Sequence, residues 1–111
     1  APPQPTTHDF IADFIARRSI SQVDGGFTWK FDPFLWSEFE AQDATDLLKA
    51  PKCPVTLMWG ERSALVQGGL VADMAARLPP GSKLVPIPEA YHHVMADQPL
   101  ALVAALRGRL A

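Results

Sequence analysis

The chain has 111 residues, one domain at most, with 48% apolar residues, 20% charged residues and a formal charge of -2, a balance that fits a globular protein and argues against a disordered tail. Lysine and arginine are spread thinly, so no basic patch is available for a phosphate backbone, and nucleic acid is not an expected partner. A single cysteine, Cys53, rules out an internal disulfide framework and a cysteine-based zinc site, fits a reducing compartment and leads to the expectation of a cytoplasmic location.

No run of 18 apolar residues exists, and the opening APPQPTT lacks the basic and apolar regions of a signal peptide, so no membrane association is expected. The chain opens on Ala1 without a methionine, and the expectation is a piece of a longer polypeptide. Residues 1–7 are rich in proline and read as a flexible lead-in. Thr7 is placed to cap a helix over 8–17, in which Phe10, Ile11, Phe14 and Ile15 share one face that calls for cover, while Asp9, Asp13, Arg17 and Arg18 form its solvated side. Ile20 and Val23 then precede a Gly25-Gly26 turn, and Phe27, Trp29 and Phe31 follow it in alternation with Thr28 and Lys30, the pattern of a hairpin. Asp32-Pro33 ends it and opens a short aromatic helix, PFLWSEF.

Asp43 can cap a short helix over ATDLLKA that stops before Pro51. Cys53, just ahead of the next strand, reads as a small buried hydrophobe. CPVTLMWG is a nearly unbroken apolar run closed by Gly60, as in a strand buried on both faces inside a parallel sheet. A helix from about Gly69 to Leu78 carries Leu70, Met74 and Leu78 at four-residue spacing and ends at PPGS. KLVPIPEA is a second strand, and DQPLALVAALRGRL a last helix with Leu100, Val103, Leu106 and Leu110 on one stripe. Strand, helix, strand, helix in that order implies parallel strands joined by a right-handed crossover. Two such strands cannot cover all their own edges and faces, so further strands are expected from outside the chain.

PVTLMWGE followed, one helix and one strand later, by YHHVMADQP resembles the C-terminal part of an α/β-hydrolase. The resemblance spans roughly residues 51–111, with both motifs in the right order around one helix. It implies an α/β fold in which 43–111 form the C-terminal portion of the parallel sheet, and 8–42 the end of a helical lid or cap. In the second motif, similar to Gly-His-x-x-x-x-Glu-x-Pro, His92 falls on the catalytic position, Tyr91 replaces the glycine, Asp97 takes the acidic place and Pro99 opens the last helix. In the first, where relatives read like Gly-Glu-x-Asp, this chain has GERSA, so Ser63 stands at the acid position and Glu61 is the nearest carboxylate. The catalytic acid is therefore expected either in Glu61 or outside the chain. The nucleophile elbow G-x-S-x-G is absent.

Such a part is expected to be active only together with an N-terminal fragment of the same enzyme that brings the nucleophile and the oxyanion hole. The implied reaction is hydrolysis of an ester, thioester or similar bond in a small apolar substrate, with His92 as the base that activates a weak nucleophile and no cofactor. An aspartate nucleophile, as in epoxide hydrolases and dehalogenases, is the variant in which His92 activates water. A non-catalytic ligand-binding protein on the same fold is the alternative of another class, with Ser63 marking a decayed triad; a free-standing interaction domain is a third. The aromatics from Phe27 to Phe39 read first as core, and second, with Trp29 and Trp36 as the candidates, as lining of an apolar substrate pocket. No metal site is expected, because neighbouring histidines do not easily face one ion and H-E-x-x-H is absent; His93 reads as structural. Asp97 reads as the cap of the last helix.

Overall fold

The computed structural model describes residues 5–40 and 43–111, with the side chain of Trp36 outside that description. Most of the lead-in, residues 1–4, falls outside it too. The chain divides into two compact units, one formed by 8–42 and the other by 1–7 with 43–111.

The smaller unit starts with α1 (Asp9–Arg18), whose first-turn Asp9 and last-turn Arg17 and Arg18 complement the helix dipole. His8, not Thr7, is its N-cap, and no side chain caps it. The expected apolar face is not covered: Phe10, Phe14 and Ile15 are exposed, and the Arg18 guanidinium lies 4.4 Å over the Phe14 ring. A hairpin follows, β1 (Ile20–Val23) antiparallel to β2 (Gly26–Trp29), with Val23 opposite Gly26. The connecting residues are therefore Asp24 and Gly25, one position earlier than the glycine pair suggests. Gly25 supplies the left-handed φ of 85° that the turn needs. The Asp32 carboxylate accepts the Phe34 N–H at 2.9 Å, holding the chain as it enters the four-residue α2 (Leu35–Glu38).

In the larger unit Asp43 accepts the Thr45 N–H at 3.0 Å and its hydroxyl at 2.6 Å, at the start of a 3-10 turn over Thr45–Lys49. Asp46 pairs with Lys49 inside that turn at 3.0 Å and ties the turn to Arg77 at 2.7 Å. Then come β3 (Thr56–Gly60), α3 (Gly68–Arg77) and β4 (Lys83–Ile87); β3 and β4 pair in parallel from Thr56 opposite Lys83 to Gly60 opposite Ile87. The last elements are α4 (Val94–Asp97) and α5 (Pro99–Leu110), with Pro99 in the first turn of α5.

The expected apolar patterns find their places with four corrections. The inward side of α3 is set by buried Val71 with half-buried Met74 and Leu78, whereas Leu70 is exposed. On α5 the stripe Leu100, Val103, Leu106 and Leu110 is exposed, and Ala101, Leu102 and Ala105 are the half-buried positions. The interior-strand reading of β3 is not met within this chain, because a two-stranded sheet leaves Thr56 to Trp59 half-buried and only Gly60 buried. Cys53 is exposed instead of buried. What is fully enclosed lies at the C-terminal ends of the strands: Ile87 and Ala90, with two polar residues, Ser63 and Asp97.

Candidate active site

The two loops that leave β3 and β4 run against each other by backbone contacts that only a glycine permits. At Gly60, the last residue of β3, a Cβ would lie 1.9 Å from the Tyr91 carbonyl oxygen and 2.5 Å from that of Ala90. Beyond it, the Glu61 N–H donates to the Ile87 carbonyl at 3.1 Å and the Arg62 N–H to the Ala90 carbonyl at 2.9 Å, extending the pairing of the strands past their ends. The Arg62 side chain forms an ion pair with Glu89, a residue held at the left-handed φ of 59°. A non-glycine side chain in that region costs about 1–2 kcal/mol, so the sharp turn after β4 is sustained by its neighbours.

A second brace comes from Asp97. Its side chain is completely buried; Oδ2 accepts the Tyr91 N–H at 3.0 Å, while Oδ1 accepts the Thr7 N–H at 2.7 Å and the Thr6 hydroxyl at 3.1 Å. The carboxylate thus holds the residue before His92 and ties residues 6 and 7 to the same loop. Two corrections follow: Asp97 is not the cap of α5, which has no side-chain cap, and Thr6 and Thr7 are anchored, not part of a free lead-in.

His92 sits between these braces, half-buried. Its Nδ1 lies 3.3 Å from the Ser63 hydroxyl. The turn from Gly60 to Ser63, closed by the Ser63 N–H on the Gly60 carbonyl at 3.0 Å, swings that hydroxyl inward, where it is 4% exposed. The Leu65 and Val66 N–H groups donate to the same oxygen, at 3.3 Å and 3.2 Å. His93 is exposed and its ring meets His92 edge-on, with centroids 5.3 Å apart. Its backbone carbonyl accepts the Ala96 and Asp97 N–H groups that start α4.

Glu61 is not brought to the histidine. Its side chain is exposed and has no hydrogen bond to His92; it opens instead onto a cleft of about 670 Å³ between Trp59, Val66, Val71 and Leu84. The physical reason is the tight turn: the chain folds back at residue 63, so the inward position belongs to Ser63. Trp29 lies on β2 in the smaller unit, half exposed and stacked on Phe31 at 5.3 Å. Trp36 lies on α2. Among the described residues no group of three or more His, Cys, Asp or Glu side chains could hold a metal ion, and no helix is long and apolar enough to cross a membrane.

A parallel strand pair, a histidine on the loop after the second strand, and the inward side chain of the loop after the first strand on its Nδ1 form a specific arrangement. A similar fold is found in the crystal structure of E-2-(acetamidomethylene)succinate hydrolase, at a TM-score of 0.69 over 86% of this chain and with 24% identity. The chain carries the C-terminal part of an α/β-hydrolase fold. It spans 36% of that hydrolase's chain. No protein-family model matches it, and a search of curated proteins found no match. Sequence reasoning placed His92 and Ser63 on the loops that follow the two strands. It missed the contact between them and the role of Gly60. A glycine closing an apolar strand was the one available signal for the latter.

Proposed function

We propose that this chain is the C-terminal part of a hydrolase that cleaves an ester, thioester or similar bond in a small apolar substrate, with His92 as the group that moves the proton. The observation that supports this reading most is the placement of His92. It stands beyond the carboxyl ends of parallel strands, where ligands of open α/β sheets bind, with Nδ1 engaged by Ser63 and Nε2 left for a reacting group. A histidine placed there, once its Nε2 is bare, takes a proton from a hydroxyl nucleophile and returns it to the leaving group, or, where the nucleophile is aspartate, takes a proton from the water that breaks the covalent ester.

The nucleophile and the oxyanion hole are proposed to come from an N-terminal part of the same enzyme. The exposed apolar stripe of α5 and the half-buried strand β3 fit a partner that completes the sheet, and such an interface is large and obligate. Trp29 and Trp36 are proposed to line the apolar pocket. The test is H92A in the assembled enzyme, assayed on an activated aryl ester. General acid–base catalysis contributes roughly 10²–10⁴-fold, so a loss in that range with assembly intact is expected, and full activity would overturn the assignment. The second reading, a ligand-binding protein on the same fold, is favoured by one observation: the atom facing Nδ1 is a hydroxyl, not a carboxylate. Covalent labelling by a fluorophosphonate probe supports the serine enzyme, since it requires an activated serine, and silence leaves an aspartate nucleophile or a binder.

A further inference from the structure

The hydrogen-bond inventory around Ser63 fixes more than a distance. A serine hydroxyl has one hydrogen to donate and two lone pairs to accept with. Both lone pairs are engaged by the Leu65 and Val66 N–H groups. The hydroxyl is enclosed, with 4% of the residue exposed, so no bulk water stands ready to take its hydrogen. The acceptor in reach is His92 Nδ1, at 3.3 Å. Were Nδ1 to carry the hydrogen instead, three donors would converge on two lone pairs, and the hydroxyl hydrogen would be buried without a partner, which is costly.

We infer that Ser63 takes the place of the acid in the relay of this site as a hydrogen-bond donor, and that it holds the neutral His92 ring with its hydrogen on Nε2. The inference rests on the reading of His92 as the proton-moving group and deepens it. A carboxylate at this position would accept from Nδ1–H and leave the Nε2 lone pair free to act as a base. Ser63 does the reverse. The ring at rest offers its reacting partner a hydrogen, and it becomes a base only in the minor population in which the Ser63 hydroxyl has turned and Nδ1 carries the hydrogen. Turnover is reduced by the fraction in that state. The loop is nevertheless able to hold an anion: two backbone N–H groups point at this side chain, and with an aspartate there Nδ1 would take up the hydrogen and become a third donor to the two carboxylate oxygens.

The test reads the ring directly. In the intact protein labelled with ¹⁵N-histidine, long-range ¹H–¹⁵N correlation of the neutral ring distinguishes the protonated from the bare nitrogen, and H92Q assigns the signals. Wild type is expected to show a protonated Nε2 and a bare Nδ1. S63A, which removes only the hydroxyl, is expected to lose the preference and give an averaged pattern. S63D is expected to invert it and to raise ester hydrolysis by about tenfold or more, within the range that proton transfer controls. A wild-type ring with Nδ1 protonated, or an S63A ring identical to wild type, would overturn the inference, as would an inverted S63D ring with slower hydrolysis. The wild-type and S63A spectra decide the matter even where S63D does not fold. Failure of the wider hydrolase reading would appear separately, as full activity in H92A.

Discussion

Replacing Gly60 with alanine tests whether the backbone contact between the two loops builds the site. The added Cβ would meet the Tyr91 carbonyl oxygen at 1.9 Å, and ordinary contact begins at 3.4 Å, so that oxygen must retreat by about 1.5 Å. Both atoms belong to backbone, so no side-chain rotation relieves the clash. The retreat pulls the Ala90–Tyr91 peptide from the Arg62 N–H, now at 2.9 Å, and loosens the Glu61 contact with Ile87. Overpacking of this kind costs about 1–3 kcal/mol, and two backbone hydrogen bonds add about 1 kcal/mol each, so a loss of roughly 3–5 kcal/mol is expected. For a unit of this size that lowers the melting temperature by roughly 10 °C or more. His92 follows Tyr91 directly; on the proton-moving role proposed for it, a displacement of about 1 Å can cost 10²-fold in rate, and the proposed hydrolysis should fall by about that factor in molecules that remain folded. Circular dichroism melts and ester assays at a temperature well below the transition measure the two effects. A G60A protein that melts with its parent and retains its activity would refute the reasoning.

Asp97 offers a further test: D97A leaves the Thr7 and Tyr91 N–H groups without their acceptor, and a loss of about 2–4 kcal/mol is expected in urea unfolding, since bonds to a charged acceptor are worth about 1.5–3 kcal/mol each before relaxation. The Asp46 carboxyl lies below its usual range because of its hydrogen bond to Lys49, the charge of Lys49 and the charge of Arg77. A lowered value in the folded state means that the contribution is present above the unfolded carboxylate range and is lost as pH falls through and below it. D46N should therefore melt slightly below the parent at neutral pH and with it in strong acid, the gap narrowing further in salt because the pair is exposed.

The strands and the histidine loop were legible because local pattern carries them. VTLMWG and KLVPI are runs that only a pleated, enclosed environment favours, and the charged or turn-forming residues beside them mark their ends. Four-residue α4 was not legible, since VMAD is too short to display a period. The role of Asp97 was hidden by distance along the chain: its partner Thr7 is 90 residues away, and a carboxylate just before Gln-Pro looks the same whether it caps a helix or braces a loop. Ser63 was recognisable as standing where an acid is expected, but its approach to His92, 29 residues on, depends on the turn closed at Gly60. The stripes on α1 and α5 were read correctly as apolar, and the cover that the α1 face calls for is not met within the described residues. Periodicity reports which side of a helix avoids water; it is silent on whether the same chain provides the shelter.

The anchoring of Thr7 has a consequence for how the chain tolerates change. The larger unit releases the polypeptide just after Thr7, at a point pinned by the Asp97 carboxylate, and takes it back at Asp43, where the Thr45 contacts resume. The residues between form the smaller unit, with its own hairpin and helices. A change of length there that keeps both moorings is expected to leave the Asp97 hold on Tyr91, the residue before His92, in place.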